Sequence, residues 1–474
     1  MTERLELVVV GAGPAGMEAA IAAAEAGSPV TLIDGYPRPG GQYFKQLPTP
    51  LKSNDETARQ KQAEFLFRRL EETGRVRLFN ETIAWNAYPA EEEGEWVLSL
   101  YGPHAPDSLQ TKTLIIASGT YDRPVPFPGW TLPGVMTAGA VQILLKTQRI
   151  LPGRRFLLSG TGPLQLAVAA QLVYAGAEVV AVLEAAHIGL GQIRHIPALW
   201  RQWAKLGEGW EYWRTLQRAG VPLRYGHAAI EARGKDCVEE VVTARLDTHM
   251  NIVLGAEQTV PADTLIIGYG FLPSNELTRL LGCEHHYVAE QRYYVPTRDD
   301  KMQTSQPGVY AVGDGTGVGG AELSRLEGRI AGLAAAWRLG HLDTTATQAA
   351  IAREQPALVR ERRFARMLTE LFAVGSGLIS LAKDETCVCR CEEVTKGEIV
   401  EAIEMGCHSL IWIKRMTRAG MGMCQGRICG QWIVELLSEQ LGLDPSQMIL
   451  DTVRPPIRPV PISSQKVPDN DKTS

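Results

Sequence analysis

Residues 5–34 read LELVVVGAGPAGMEAAIAAAEAGSPVTLID. The apolar run at 5–10 is typical of a strand buried on both faces. A glycine turn, an alanine-rich helical stretch at 17–26 and a second strand at 30–33 follow. This order predicts a Rossmann unit, in which the turn and the helix N-terminus receive a pyrophosphate. The predicted binding residues are Gly11, Gly13, Pro14, Ala15, Gly16 and Asp34.

Each residue of that turn has a physical role. Gly11 permits the tight turn, Gly13 lets the pyrophosphate approach the backbone, and Gly16 lets the helix pack closely on the strand. Asp34 is placed to accept a hydrogen bond from a ribose hydroxyl. The alternative is a Rossmann-like turn that binds nothing.

Two further segments resemble those of glutathione-reductase-like flavoproteins, and the resemblance implies that the nucleotide is FAD. Residues 113–119 form a strand that ends at Ser118 and Gly119, like the segment that closes over the adenine side in that family. Gly40-Gly41-Gln42 resembles the flexible backbone that the family uses near the flavin ring.

Residues 308–314 resemble the second flavin signature of the same family, and they end in Gly313 and Asp314. There Asp314 would accept hydrogen bonds from the ribityl or pyrophosphate part of FAD. A helix from about residue 321 would aim its N-terminus at the flavin. Taken alone, Asp314 could be a turn or capping aspartate, and its context favours the flavin role.

A second dinucleotide unit is predicted at residues 155–184. It repeats the glycine pattern with Gly160 and Gly162 and ends at Glu184, which suits a free 2′-hydroxyl and therefore favours NAD(H) over NADP(H). The third glycine is replaced by Gln165, whose side chain must be accommodated between helix and strand. A working NAD(H) site, a vestigial fold and a structural site for another nucleotide remain open.

Disulfide chemistry is not expected. Disulfide reductases of this fold need two cysteines beside the flavin, yet residues 40–50 contain none, and Cys237 and Cys283 stand far apart. Four tryptophans, at 200, 203, 210 and 213, fall on one side of a predicted helix. They are interpreted as a core or subunit-packing stripe, with a substrate-facing aromatic wall as the alternative.

Six of the eight cysteines lie between residues 387 and 429. In a reducing compartment such a cluster indicates a metal site before disulfides. A [2Fe–2S] cluster needs two protein thiolates on each iron, and two close cysteine pairs meet that requirement. The predicted ligands are Cys389, Cys391, Cys424 and Cys429.

Other interpretations of this cysteine module remain open. A structural zinc site is the competing interpretation, since four thiolates also suit Zn²⁺. Cys387 and Cys407 are surplus and are predicted to be small buried residues, although Cys387 could exchange with Cys389 as a ligand. Glu398 follows Thr395 at the spacing of a capping box, which predicts a helix start there.

The length and composition of the chain indicate its number of domains and its environment in the cell. At 474 residues two to four domains are expected, and a net charge of −5 gives no sign of nucleic-acid binding. The chain has no apolar run long enough for a membrane span and no secretory signal. We expect a cytoplasmic protein, peripheral at the inner membrane if its electron acceptor lies there.

The predicted fold class is α/β, with two Rossmann-like dinucleotide-binding domains and a small helical iron–sulfur domain. The FAD domain is discontinuous, 1–125 and 296–345, and encloses the second dinucleotide domain at 126–295. A helical linker at 346–380, a [2Fe–2S] domain at 381–445 and a proline-rich tail at 446–474 follow.

Along its whole length the chain resembles the FAD-containing alpha subunit of bacterial multi-subunit amine and imino-acid dehydrogenases. That family includes octopine and nopaline oxidases, D-hydroxyproline dehydrogenase, dye-linked L-proline dehydrogenase and hydrogen cyanide synthase. The matching stretches are 11–16, 40–42, 308–314, 389–395, 417–429 and 454–460. The cysteine module is similar to bacterioferritin-associated ferredoxin.

The resemblance implies a division of labour. A smaller flavoprotein subunit similar to D-amino-acid oxidase would oxidise the C–N bond, and a small ferredoxin-like third subunit is a further expected partner. This chain would relay electrons through FAD and [2Fe–2S] to an acceptor that the sequence does not identify. No catalytic residue stands out. The alternatives are a self-sufficient NADH-dependent reductase and a non-enzymatic docking module.

Overall fold

The computed structural model describes residues 3–46, 58–187 and 189–462. The elements of the N-terminal part are β1 Glu3–Val10, α1 Pro14–Glu25, β2 Val30–Ile33, α2 Ala58–Glu72, β3 Val76–Phe79, β4 Ile83–Pro89, β5 Trp96–Tyr101, β6 Ser108–Ile116 and β7 Thr120–Asp122. They build a sheet of order β3-β2-β1-β6-β5-β4. The central strands are parallel, as in a Rossmann unit, and β4 and β5 run antiparallel at one side.

A second sheet follows. The elements of this part are β8 Val135–Thr137, α3 Ala138–Ile143, a π-helical turn Leu144–Gln148, β9 Arg155–Gly160, α4 Leu164–Tyr174, β10 Glu178–Glu184, a 3₁₀ segment Leu190–Leu199, α5 Trp203–Arg218, β11 Leu223–Tyr225, β12 His227–Arg233, β13 Glu240–Arg245, β14 Gln258–Pro261, β15 Thr264–Gly268 and β16 Phe271–Pro273. Five parallel strands have the order β11-β10-β9-β15-β8. Strands β12–β14 form a separate antiparallel sheet, and β16 pairs with β7 and joins the two units.

The chain then returns to the first sheet and continues into two long helices. The returning elements are α6 Glu276–Leu280, β17 His285–Val288, β18 Tyr293–Pro296, β19 Val309–Ala311, a 3₁₀ turn Gly313–Thr316, α7 Ala321–Arg338 and α8 Thr344–Leu371. Strand β19 pairs with β6 and becomes the seventh strand of the first sheet. Leu277 and Leu281 already pack in the core beneath that sheet. The chain therefore contacts the first sheet before residue 296, the predicted start of the second FAD-domain segment.

The C-terminal part is small and mostly helical. It contains a 3₁₀ segment Ser376–Leu381, β20 Cys387–Cys389, β21 Val394–Thr395, α9 Lys396–Glu404, α10 Leu410–Thr417, α11 Gly430–Leu441 and a 3₁₀ turn Pro445–Gln447. The capping box predicted at Thr395 and Glu398 is present at the start of α9. The predicted fold class, with two Rossmann-like units and this small helical part, is confirmed.

The tryptophan stripe does not lie in the core, which was one of the two positions predicted for it. Helix α5 begins at Trp203, so Trp200 lies before it. The side chains of Trp200, Trp203 and Trp210 are 69%, 67% and 61% exposed, and Trp213 is 39% exposed. The core interpretation is therefore wrong, because a periodic apolar pattern predicts a face and not what covers that face.

Candidate cofactor sites

The first glycine turn has two positions that exclude any side chain. A β-carbon at Gly11, where φ is 103°, would lie 2.3 Å from the carbonyl oxygen of Ala117. One at Gly16 would lie 1.8 Å from the carbonyl oxygen of Gly11. At Gly13 the nearest atom would be the Cα of Gly41, 3.9 Å away. The turn is therefore tightly packed at Gly11 and Gly16 and has free space at Gly13, as the binding of a pyrophosphate against the backbone requires.

Asp34 is fixed at the end of β2. Its Oδ2 accepts a hydrogen bond from the backbone N–H of Ala12 at 2.6 Å, and its Oδ1 accepts one from Tyr36 at 2.8 Å. Burial raises the pKa of this carboxyl, and the two backbone donors oppose that shift. The side chain thus lies beside the glycine turn, where a ribose hydroxyl would reach it.

The other predicted FAD segments converge on the same turn. A β-carbon at Gly41 would lie 2.8 Å from the Cα of Gly13, and one at Gly313 would lie 2.9 Å from the Cβ of Ala15. Gly315, in the turn around Asp314, faces Ser118 and Gly119: its β-carbon would lie 3.2 Å from Ser118 Oγ and from the carbonyl oxygen of Gly119. Four segments that are distant in sequence therefore surround one space.

The side chains of two predicted FAD residues, Asp314 and Gln42, form hydrogen bonds with residues close to them in sequence. Asp314 Oδ1 accepts hydrogen bonds from the backbone N–H groups of Gly319 and Gly320, both at 3.0 Å, at the start of α7. Burial raises the pKa of this carboxyl. Gln42 donates to the hydroxyl of Tyr36 at 2.7 Å and is exposed. Asp314 thus closes the turn into α7, and α7 begins at Ala321 as predicted.

Buried ion pairs that the sequence did not indicate brace this site. Glu327 accepts two hydrogen bonds from Arg298, at 2.9 and 2.6 Å, and one from the backbone N–H of Gly313 at 3.1 Å. Glu18 on α1 is fully buried and pairs with Arg325 and Arg329 on α7. These bonds fix the position of α7 against the helix that follows the glycine turn.

The second dinucleotide unit repeats the arrangement of the first. Glu184 Oε2 accepts a hydrogen bond from the backbone N–H of Gly162 at 2.9 Å, and Oε1 accepts one from Ala186 at 2.9 Å. Burial raises the pKa of Glu184 to about 7. Phe372, at the end of α8, approaches Gly162: its Cβ would lie 4.0 Å from a β-carbon there.

Gln165 replaces the third glycine without separating helix from strand. Its side chain is 2% exposed, and neither amide atom has a hydrogen-bond partner among the described residues. The neighbouring strand β15 offers Gly268, where a β-carbon would lie 3.5 Å from Gln165 Cγ. The Gln165 side chain thus lies at an ordinary contact distance from β15.

The four predicted ligand cysteines come together as two thiol pairs. The Cys389 and Cys429 thiols are hydrogen-bonded, and so are those of Cys391 and Cys424. Each thiol pair joins one cysteine from residues 389–391 with one from residues 424–429. Within the described part of the chain, no group of three or more His, Cys, Asp or Glu side chains that could hold a metal ion is found. Two thiols at each of two positions is the donor set of a [2Fe–2S] cluster.

Backbone N–H groups and glycines shape this pocket. The hydrogen bond from Cys429, aided by the N–H of Gly420 at 3.4 Å from the sulfur, lowers the pKa of the Cys389 thiol to about 5. A thiolate is the form that binds iron. A β-carbon at Gly422 would lie 2.2 Å from the Cβ of Cys391, so only glycine fits there.

The surplus cysteines are not members of the two thiol pairs, although Cys387 interacts electrostatically with Cys389. Cys387 begins β20, and its carbonyl oxygen accepts a hydrogen bond from Trp130 Nε1 at 2.6 Å. Burial raises the pKa of its thiol. Cys407 is partly buried against the core of the C-terminal part.

A chain of hydrogen bonds joins the FAD segment to the cysteine loop. Ser118 Oγ donates to the carbonyl oxygen of Ser274, whose hydroxyl donates to Glu276 Oε2 at 2.9 Å. Glu276 Oε1 lies 2.8 Å from Arg427 Nε, and Arg427 donates to the carbonyl oxygen of Cys424 at 3.3 Å. A cavity of about 550 Å³, lined in part by Cys429, opens beside this chain.

None of the helices in residues 3–46, 58–187 and 189–462 is long and apolar enough to cross a membrane.

Comparisons with known proteins agree with this geometry. Residues 5–340 match the pyridine nucleotide-disulphide oxidoreductase family, and residues 387–439 match the BFD-like [2Fe-2S] binding domain. An opine oxidase A subunit from Rhizobium meliloti is 33% identical over 97% of this chain and 87% of its own length. The hydrogen cyanide synthase subunit HcnB of Pseudomonas aeruginosa is 33% identical over 97% of this chain and 98% of its own length.

A solved structure shows the same fold. The L-proline dehydrogenase from P. horikoshii superposes with a TM-score of 0.69 and 18% identity, covering 98% of this chain and 81% of that one. The chain is an FAD-dependent oxidoreductase that also holds a [2Fe–2S] cluster. It therefore belongs to the pyridine nucleotide-disulphide oxidoreductase family and, within it, to the group that contains the opine oxidase A subunits and HcnB.

Proposed function

We propose that this chain is the electron-transfer subunit of a hetero-oligomeric dehydrogenase that oxidises the C–N bond of an amino acid, imino acid or opine. The substrate is oxidised in a partner flavoprotein subunit similar to D-amino-acid oxidase, and a small ferredoxin-like subunit is a further partner. The names of the relatives, which are subunits of opine oxidase and hydrogen cyanide synthase, support this assignment.

The observation that carries the proposal is the bonded path from Ser118 to Cys424. FAD supplies a carrier that takes up an electron pair, and the cluster supplies one that passes electrons singly. Glu276 and Arg427 form an ion pair across the junction between the β7–β16 strand pair and the cysteine loop. Both side chains are mostly buried, so the pair fixes the loop against the FAD segment.

The residues proposed to hold FAD are those of the converging segments. They are Gly11, Gly13, Pro14, Ala15, Gly16, Asp34, Gly40, Gly41, Gln42, Ser118, Gly119, Gly313 and Asp314. Those proposed to hold the cluster are Cys389, Cys391, Cys424 and Cys429. For Gly160, Gly162 and Glu184 we retain the proposal of a second nucleotide site, for NAD(H) or another nucleotide.

The division of labour is tested by assaying dye reduction with proline analogues and opines. The chain is expressed alone and together with a D-amino-acid-oxidase-like flavoprotein subunit. We expect activity only from the combination. Equal activity from this chain alone would contradict the relay role, and rapid bleaching of its flavin by NADH would instead favour a self-sufficient reductase.

The internal path is tested with Arg427→Gln, using Arg415→Gln as the control. Arg415 lies on α10 in the same part of the chain, is exposed, and contacts the ring of Trp412 without an ion pair among the described residues. Removing the Arg427 charge leaves Glu276 unpaired near the cluster, which disfavours the reduced cluster. We expect a lower cluster reduction potential and slower electron transfer from flavin to cluster in Arg427→Gln, and no change in Arg415→Gln.

A further inference from the structure

The proline-rich tail is anchored between the FAD part and the cysteine part of the chain. The carboxylate of Asp451 lies 3.0 Å from Arg279 Nη2 on α6 and 3.3 Å from Lys414 Nζ on α10. All three side chains are at most 22% exposed, so dissolved salt screens these ion pairs little. We call residues 451–458 the tail strap.

The end of the tail strap enters the core beneath the first sheet. Ile457 is 4% exposed and belongs to the hydrophobic cluster that contains Ile33 and Phe79, the last residues of β2 and β3. Its backbone N–H donates to the carbonyl oxygen of Trp85 on β4 at 3.0 Å. A buried isoleucine and a backbone hydrogen bond therefore hold the strap against this sheet.

The residue that follows Ile457 lies beside the expected ribose site. Asp34 directly follows Ile33, and Arg458 directly follows Ile457. Burial raises the pKa of the Asp34 carboxyl, while its two backbone hydrogen bonds and then the nearby positive charges of Lys45 and Arg458 lower it. The Arg458 charge is thus close enough to act on the carboxylate that is expected to bind the adenosine ribose of FAD.

Lys45 and Arg458 differ in what else they contact. Lys45 Nζ lies 4.1 Å from the centre of the Tyr36 ring and 3.4 Å from Gln42 Oε1. Arg458 is exposed, and its guanidinium has no hydrogen-bond partner within the described part of the chain. A guanidinium carries five N–H donors and stacks on flat aromatic rings, so it suits the ribose hydroxyls and the adenine ring of a dinucleotide.

We infer that the tail strap carries Arg458 into the FAD site, where its guanidinium contacts the adenosine half of the cofactor and slows the release of FAD. Asp451 and Ile457 are the anchors that hold Arg458 in this position. The inference goes beyond the proposed function, because it concerns how the chain retains FAD and holds for any substrate or partner.

The test measures how fast the purified holoprotein releases FAD, with an excess of the apoprotein of another FAD enzyme to capture the free flavin. Arg458→Gln removes the charge, and Arg458→Lys keeps the charge without the planar guanidinium. Arg454→Gln is the control, because Arg454 is also exposed on the strap but lines the cavity beside the cysteine loop. We expect release about 5-fold faster in Arg458→Gln, a smaller increase in Arg458→Lys and no change in Arg454→Gln.

A variant that detaches the strap separates a direct contact from a general loss of stability. Ile457→Ser should free the end of the strap and speed FAD release at least about 5-fold. Adding Arg458→Gln to Ile457→Ser should then change nothing further, because Arg458 reaches the cofactor only from the anchored strap. Full cluster content and unchanged far-UV circular dichroism show that the variants are folded.

Hydrogen exchange gives a second measurement on the holoprotein. Because Arg458 binds FAD from the anchored strap, its contact also stabilises the strap, since coupling between two binding events is reciprocal. The Ile457 N–H should therefore exchange about 5-fold faster in Arg458→Gln than in the unmodified protein or in Arg454→Gln.

Three results would refute the inference. They are unchanged FAD release or Ile457 exchange in Arg458→Gln, an equal change in Arg454→Gln, and additive effects of Ile457→Ser and Arg458→Gln. The proposed function is tested separately, by substrate-driven dye reduction, and does not depend on these results.

Discussion

Gly422→Ala should empty the cluster site without affecting FAD. The added β-carbon would lie 2.2 Å from the Cβ of Cys391. Non-bonded carbons approach to about 3.5 Å, so Cys391 or the Gly422 backbone must move by roughly 1.3 Å. Metal–ligand distances tolerate deviations of only about 0.2 Å. The thiolate of Cys391 would therefore be too far from its iron.

The assay for Gly422→Ala is acid-labile sulfide and the EPR signal of the dithionite-reduced protein. We expect at least an order of magnitude less sulfide per chain, with FAD content unchanged. Gly430→Ala is the matched control, because Gly430 lies next to Cys429, has a negative φ like Gly422, and has no atom within 4 Å of its β-carbon position. A full cluster in Gly422→Ala, or equal loss in both variants, would refute the steric argument.

Four further outcomes are expected. Gly13→Leu should yield folded protein without flavin absorbance, because its side chain takes the place of the pyrophosphate. Cys424→Ser should remove the EPR signal of the cluster and leave FAD bound; a surviving signal would show that the ligand assignment is wrong. Glu18→Ala should lower the free energy of unfolding by about 3 kcal/mol, since it removes the fully buried carboxylate shared by Arg69, Arg325 and Arg329 and leaves them only their more exposed partners. Glu25→Ala, half exposed, should cost under about 1 kcal/mol in the same urea titration. The pKa of Glu184 is about 7 in the folded protein and 4.5 ordinarily, so the native state binds the carboxyl proton more tightly than the unfolded state does. The free energy of unfolding should therefore fall by about 3 kcal/mol as the pH rises from 4.5 to 7. Glu184→Gln should flatten that slope in unfolding curves measured across this pH range.

The Rossmann elements could be predicted because their signals are local. Strand β2 occupies residues 30–33 as predicted, and α9 begins at the predicted capping box. Helix α1 begins three residues earlier than predicted, because Pro14 is suited to the first helical position. In each case a few neighbouring residues determine the backbone without help from distant parts of the chain.

Contacts between distant residues could not be predicted in this way. Glu18 pairs with Arg325 and Arg329, and Glu276 pairs with Arg427. A charged residue in a helical pattern predicts a solvated surface, and only the packing of α1 on α7 makes Glu18 a buried ion-pair centre. The same limitation applies to the exposed tryptophans of α5, since the helical period is the same for a buried face and an exposed one.

The pairing of Cys389 with Cys429 and of Cys391 with Cys424 has a consequence for the stability of the C-terminal part. A cluster held by Cys389, Cys391, Cys424 and Cys429 would close a loop from residue 389 to residue 429, with a shorter loop from residue 391 to residue 424 inside it. Helices α9 and α10 lie entirely within the inner loop. Closing a loop removes conformational entropy from the unfolded chain. Bound iron would thus stabilise residues 389–429 by closing both loops. Its loss would release both ends of this segment together and expose α9 and α10 to proteolysis.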